Sequence, residues 1–167
     1  MGSGLGHRPL VFLDVDGPLI TFAARPTSPE RPAPLDSPEG GGNPLLDRLR
    51  PEDGRMLLGL GCQLVWATTW MADANTVISP RLGLPRLPVV DWPDSDDEPP
   101  RGLHWKTRFL AQWAAGRPFV WLDDEITDAD RAWIAAHHPE RALLHRVDPY
   151  AGLTAADFSL IHRWLAE

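Results

Sequence analysis

One stretch constrains this chain more than any other: Pro9-Leu10-Val11-Phe12-Leu13-Asp14-Val15-Asp16-Gly17-Pro18-Leu19. Four apolar residues run into two aspartates one residue apart, and the chain then turns at Gly17-Pro18. The apolar run predicts a buried strand, and Gly-Pro predicts its end. On an extended chain residues i and i+2 point the same way. Asp14 and Asp16 then leave the end of a buried strand on one side. Two close carboxylates repel unless a cation or a shared proton relieves them. A hard divalent cation with oxygen ligands answers that need, and Mg²⁺ is the usual one beside phosphate.

Further along the chain the same motif recurs: an apolar run that ends in polar residues. Cys62-Gln63-Leu64-Val65-Trp66-Ala67 runs into Thr68-Thr69-Trp70, and Phe119-Val120-Trp121-Leu122 runs into Asp123-Asp124-Glu125. Leu87-Pro88-Val89-Val90 and Ala142–Val147 read as two more strands. Helical segments fall between them: 45–60 in two pieces broken at Pro51, about 71–79 stopped by Pro80, 103–115 closed by Gly116, about 127–136, and from 154 to the end. Thr127…Asp130 and Thr154…Asp157 have the spacing of capping boxes. The strands are apolar throughout, so both faces of the sheet are covered. The expected fold is α/β: a Rossmann-like three-layer sandwich with a mostly parallel sheet of about five strands and helices on both faces. In such sheets ligands bind beyond the C-terminal strand ends. Those ends carry Asp14/Asp16, Thr68/Thr69 and Asp123/Asp124.

A chain of 167 residues predicts a single domain over 1–167. Its 18 prolines and 14 glycines are many, but they cluster and so mark loops. Within 20–44 they predict a Pro/Gly-rich loop or flap, too rich in both residues to be a folded cap. Residues 91–102 form an acidic, proline-containing loop too short to be one. A lone cysteine, Cys62, suits a reducing cytoplasm. The N-terminal residues lack an apolar leader, and no stretch is long enough to span a bilayer, so no membrane is expected. The formal net charge of −7 opposes a general nucleic-acid-binding surface, though a local basic patch stays open. The six histidines show no zinc-type spacing.

The strand-end residues form a set with one chemistry. A carboxylate such as Asp14 attacks phosphorus when positive charge screens the phosphoryl oxygens. Asp16 has the position of a general acid and base. Thr68 offers a hydroxyl and a nearby backbone N–H to a phosphoryl oxygen; Thr69 is the alternative, and strand-end position favours Thr68. Lys106 lies inside the apolar stripe of Leu103, Leu110 and Trp113, which makes sense if its ammonium reaches a carboxylate or phosphate. Arg108 lies off that stripe. Asp123 completes a metal shell, with Asp124 bound directly or through water. Singly, each feature has an ordinary explanation: a turn, a helix cap, a snorkelling lysine, a helix-start charge. All four in this order, each on the element the chemistry wants, argue for phosphoryl transfer through an aspartyl-phosphate.

This pattern resembles the haloacid dehalogenase (HAD) superfamily of phosphohydrolases across about residues 9–147. Asp14-Val15-Asp16-Gly17 resembles its first motif, Leu64-Val65-Trp66-Ala67-Thr68 its second, Lys106 its helix-borne lysine and Asp123-Asp124 its acidic motif. The resemblance implies Asp14 as nucleophile, Asp16 as acid/base, and Mg²⁺ on Asp14, the Asp16 carbonyl and Asp123. Pro18 departs from the Thr or Val more usual there. Val-Trp-Ala-Thr-Thr-Trp and Trp-Leu-Asp-Asp-Glu further resemble a small bacterial branch, some of whose members are associated with RNA-repair proteins.

The expected function is therefore a capless, Mg²⁺-dependent phosphatase with an open site suited to a bulky phosphorylated substrate. Two alternatives stay open: an RNA or DNA end phosphatase or phosphotransferase, and a non-catalytic domain that keeps the fold. Gly17 and Trp70 are secondary site candidates. Trp70 and Trp92 are the tryptophans placed to stack on a base or sugar, and His104 is a lesser candidate for substrate contact.

Overall fold

The computed structural model describes residues 8–23, 44–92, 99 and 101–167. Most of the expected 20–44 flap (24–43), most of the acidic loop (93–98 and 100) and the N-terminal residues 1–7 lie outside them. Four strands form one parallel sheet: β1 (Leu10–Leu13), β2 (Gln63–Trp66), β3 (Phe119–Asp123) and β4 (Ala142–Arg146). Their order is β2-β1-β3-β4. Leu13 pairs with Trp66 on one side and Leu122 on the other. The ends of β1, β2 and β3 therefore finish level.

Alternation along each strand builds two cores. Val11 and Leu13 join Leu64, Trp66, Val120 and Leu122 on one face. There they meet Leu57 of α1 (Pro51–Leu58), Leu82 of α2 (Ser79–Leu82), and Phe158 and Ile161 of α5 (Ala155–Ala166). Leu10 and Phe12 join Val65, Phe119 and Trp121 on the other face. They meet Leu110 of α3 (Thr107–Ala114) and Ile134 of α4 (Asp128–His137). Near-complete burial of both faces explains the absence of polar alternation in β1, β2 and β3, whereas the edge strand β4 is half-buried and carries His145 and Arg146.

Three expected details change. Leu87–Val90 is not a fifth strand: only Val89 bridges Trp66. Pro85 and Pro88 remove donors, and the Asn75 side chain holds both the Leu87 N–H (2.8 Å) and C=O (2.7 Å). Pro80 does not stop its helix. A π-helical turn (Ala74–Ile78) passes into α2, and Pro80 lies at the start of α2, where the missing N–H costs little. The 103–115 helix begins only at Thr107, so Lys106 caps α3 rather than lying inside it. As expected, 45–60 divides at Pro51 into a 3-10 turn (Pro44–Arg48) and α1. Both capping boxes form, from Thr127 with Asp130 and from Thr154 with Asp157. No described helix is long and apolar enough to cross a membrane.

Helices α1 and α2 approach closely at Gly54. A Cβ there would lie 1.8 Å from the Leu82 carbonyl oxygen, which is backbone and cannot rotate away. Gly54→Ala should cost about 3 kcal/mol and lower Tm by about 10 °C in calorimetry. Gly59→Ala, whose Cβ would meet nothing nearer than 3.4 Å, is the control and should be near neutral. Equal effects at the two positions would refute this account of the helix contact.

Candidate active site

Asp14 follows β1 and Asp123 ends β3, at the point where the chain order switches sides of the sheet. Between them Lys106 Nζ lies 3.1 Å from Asp14 Oδ1 and 3.0 Å from Asp123 Oδ2. It also donates to the Ala67 carbonyl at the end of β2, at 3.0 Å. A buried ammonium thus joins the ends of β1, β2 and β3 and uses three acceptors, which is its full donor capacity. Asp14 is 8% exposed, Lys106 4% and Asp123 1%, so little water screens the cluster.

Asp124 joins this group. One carboxylate oxygen from each of Asp14, Asp123 and Asp124 lies within 4.8 Å of the others. Burial pushes Asp14 up to about 8; the Lys106 ammonium opposes this and the Asp123 charge adds to it. Burial also raises Asp124 to about 6, again with Asp123 adding. Burial pulls Lys106 down, but Asp14 and Asp123 outweigh it, and its pKa ends above the ordinary lysine value. Ionised together, the three carboxylates would carry more negative charge than one lysine balances, which is why two of them hold their protons above the usual range. An all-oxygen donor set of this kind fits a hard divalent cation.

Asp16 departs from the expected carboxylate pair with Asp14. β1 ends at Leu13, and the chain coils back, with Ile20 N–H on the Val15 carbonyl at 2.9 Å. The i, i+2 rule holds only while the strand continues. The Asp16 side chain is exposed, and its Oδ2 accepts from Trp70 Nε1 at 3.2 Å. The carboxylate partners of Asp14 are instead Asp123 and Asp124. Gly17, at φ +106°, packs against Asp124: a Cβ would lie 2.8 Å from its Cγ. The glycine thus permits the turn and makes room for the acidic side chain.

The two threonines separate clearly. Thr68 is fully buried, and its hydroxyl accepts from the Trp70 N–H at 3.2 Å. Thr69 is exposed and lines the cleft. Trp92 donates to the Thr68 carbonyl at 3.0 Å and packs edge-on against Trp105, whose ring centre is 5.7 Å from Lys106 Nζ. The Trp70 and Trp92 N–H groups are therefore committed to the site's own framework.

Sequence reasoning missed two supports. Asp130 is fully buried and accepts from Thr127 as the α4 capping box requires. It also accepts from His104 N–H at 2.8 Å and the Thr107 hydroxyl at 2.7 Å, on either side of Lys106. One carboxylate thus locks the turn that aims the lysine. His104 Nδ1 accepts from Lys106 N–H at 3.1 Å, so its Nε2 carries the proton and donates to Glu125 at 3.0 Å. The α4 cap spacing was the only sequence signal for Asp130; Glu125 carried none.

Among the described residues, Asp14, Asp16, Thr69, Lys106, His104 and Asp124 share one open cleft of about 180 Å³. Its floor is anionic with one central cation, and an exposed carboxyl stands at its side. Residues 10–158 match the family model described as the HAD domain in Swiss Army Knife RNA repair proteins. No curated protein and no solved structure matches the chain.

Proposed function

Because the chain belongs to the family of HAD domains found in Swiss Army Knife RNA repair proteins, we propose that it is a Mg²⁺-dependent phosphatase that works through an aspartyl-phosphate. The observation that carries this reading is the Lys106 ammonium held between Asp14 and Asp123 beside Asp124, on the floor of an open cleft.

Asp14 attacks the phosphorus of a bound phosphomonoester, and the ester P–O bond breaks. Asp16, oriented by Trp70, gives its proton to the leaving oxygen. Asp16 then takes a proton from water, the water oxygen attacks phosphorus, and the bond to Asp14 breaks. Phosphate leaves, and both carboxyl groups return to their starting states. Lys106 holds Asp14 in place and offsets charge on the phosphoryl oxygens, while Thr69 offers its hydroxyl to one of them. Bound to Asp14, Asp123 and Asp124, Mg²⁺ would supply the positive charge that keeps Asp14 ionised and stabilises the phosphoryl oxygens. Phosphate release from p-nitrophenyl phosphate, nucleotides and phosphopeptides, with Mg²⁺ and with a chelator, tests the reading. Turnover should require Mg²⁺; none on any substrate would overturn it.

The raised carboxyls give a second test. Asp14 and Asp124, at about 8 and about 6, hold protons that a cation must displace. Mg²⁺ binding should release about one proton at pH 7, and affinity should fall about tenfold per pH unit from 8 to 6. Calorimetry in buffers of different ionisation enthalpy reads the proton directly. Binding without proton release would place the ion elsewhere.

A second reading, removal of phosphate from an RNA end, is favoured by the family match. The same residues would perform it, with a terminal nucleotide as the leaving group.

A further inference from the structure

The cleft is small. At about 180 Å³ it falls below the roughly 300–1,000 Å³ that encloses a drug-sized ligand. A phosphoryl group and the atoms next to it fit; the rest of the leaving group must lie outside, across the rim. What the rim offers therefore decides which phosphate esters bind well.

One part of that rim is aromatic and fixed. Phe22 lines the cleft with Asp14, Asp16 and Lys106, yet is 52% exposed. Tyr150 beside it is 65% exposed. Their ring centres are 5.9 Å apart with planes at 87°, so the two rings form an open corner. The backbone beneath is stitched together. Phe22 N–H donates to the Pro149 carbonyl at 2.8 Å, and Leu153 N–H to the Pro18 carbonyl at 3.0 Å. Arg48 donates to the Thr21 carbonyl at 2.7 Å, and Asp148 Oδ1 accepts from Tyr150 N–H at 2.9 Å. Two large rings held in water do nothing for the core; they are poised to cover another flat apolar surface.

From this we infer that Phe22 and Tyr150 form a base-stacking subsite, which takes the nucleobase of a nucleotide whose phosphate enters the cleft. The inference rests on the phosphatase reading and names its substrate class: a terminal nucleotide, read by one base rather than along a backbone. Charge points the same way. A chain of net charge −7 gains little from a run of phosphates, whereas base–aromatic stacking needs no net positive surface. The base lies face-on to one ring and edge-on to the other, an arrangement aromatic pairs favour.

The test compares kcat/KM for a nucleoside monophosphate or a phosphate-ended dinucleotide with that for ribose 5-phosphate, which lacks the base. The wild type should prefer the base-bearing substrate through KM. In Phe22→Ala/Tyr150→Ala that preference should shrink about tenfold or more. Phe22→Tyr and Tyr150→Phe, which keep a ring, should retain it. The preference should also depend only weakly on salt, since one terminal phosphate is involved. A double variant with an unchanged preference, or equal losses on both substrates, would overturn the subsite. If the wild type hydrolyses neither compound, nor p-nitrophenyl phosphate, nor a phosphopeptide, the phosphatase reading fails. Calorimetric binding of the same pair to the wild type and the double variant then decides the subsite alone: tighter nucleotide binding lost in the variant supports it, and equal binding of both compounds refutes it.

Discussion

Asp14→Asn should abolish turnover, with kcat reduced about 10⁴-fold or more and substrate affinity little changed. The amide keeps the shape and one oxygen but cannot form the phosphoryl bond. A folding defect is separable from this loss because the expected stability change has the opposite sign. Burial raises the Asp14 pKa to about 8, so its ionised form is disfavoured in the fold relative to the unfolded chain. The stability associated with Asp14 is therefore fully present at low pH and is lost as pH rises through about 8. Asparagine imitates the neutral carboxyl at every pH. The metal-free variant should match the wild type near pH 4 and be the more stable of the two above pH 8, as read by thermal unfolding in chelator. An inactive variant that unfolds earlier at both pH values would mean that the lost activity reports lost structure. Retained turnover would remove Asp14 from the role of nucleophile.

The residues that proved legible in the sequence share one property: their signal is local. Apolar runs ending in Asp14, Thr68 and Asp123 announce buried strands, and burial on both faces leaves no other reading of them. Thr127 with Asp130, and Thr154 with Asp157, announce helix starts because a capping box spans only four residues. The misreadings arise where a distant partner overrides the local pattern. Leu87–Val90 reads as a strand by composition, but Asn75 and two prolines divert its backbone groups. Lys106 fits a helical stripe, yet Asp130 captures the preceding N–H at His104 and leaves a turn in place of helix. Asp16 reads as the mate of Asp14, but its carboxylate accepts from Trp70, 54 residues away in sequence, and the carboxylates clustered with Asp14 are Asp123 and Asp124. Asp130 itself was legible only as a cap; its bonds to His104 and Thr107 cross 26 and 23 residues. None of these contacts follows from spacing, because each depends on which elements the sheet order brings together.

Lys106→Met is the sharper probe of that assembled cluster, because it keeps most of the buried stem and removes only the charge. Met cannot donate to Ala67, Asp14 or Asp123, so two buried carboxyls face each other without a cation. Near pH 6 a proton held by Asp14 relieves much of the repulsion, since this group already titrates at about 8 with the lysine present. With Lys106 gone its pKa moves higher still, so stability goes on falling as pH rises past 8, where the wild type levels off. The variant should therefore be modestly destabilised at pH 6 and less stable than the wild type by about 3 kcal/mol near pH 9, in chelator. Mg²⁺ should recover part of that deficit, because a bound cation again sets positive charge between the carboxylates. Turnover should fall about 10²- to 10³-fold even in saturating Mg²⁺, since the phosphoryl oxygens lose one fixed cation. Denaturant unfolding across pH, with and without Mg²⁺, separates charge from packing. A stability loss that is the same at every pH would mean that Lys106 acts through packing and its bond to the Ala67 carbonyl, and the electrostatic account of the cluster would fall with it.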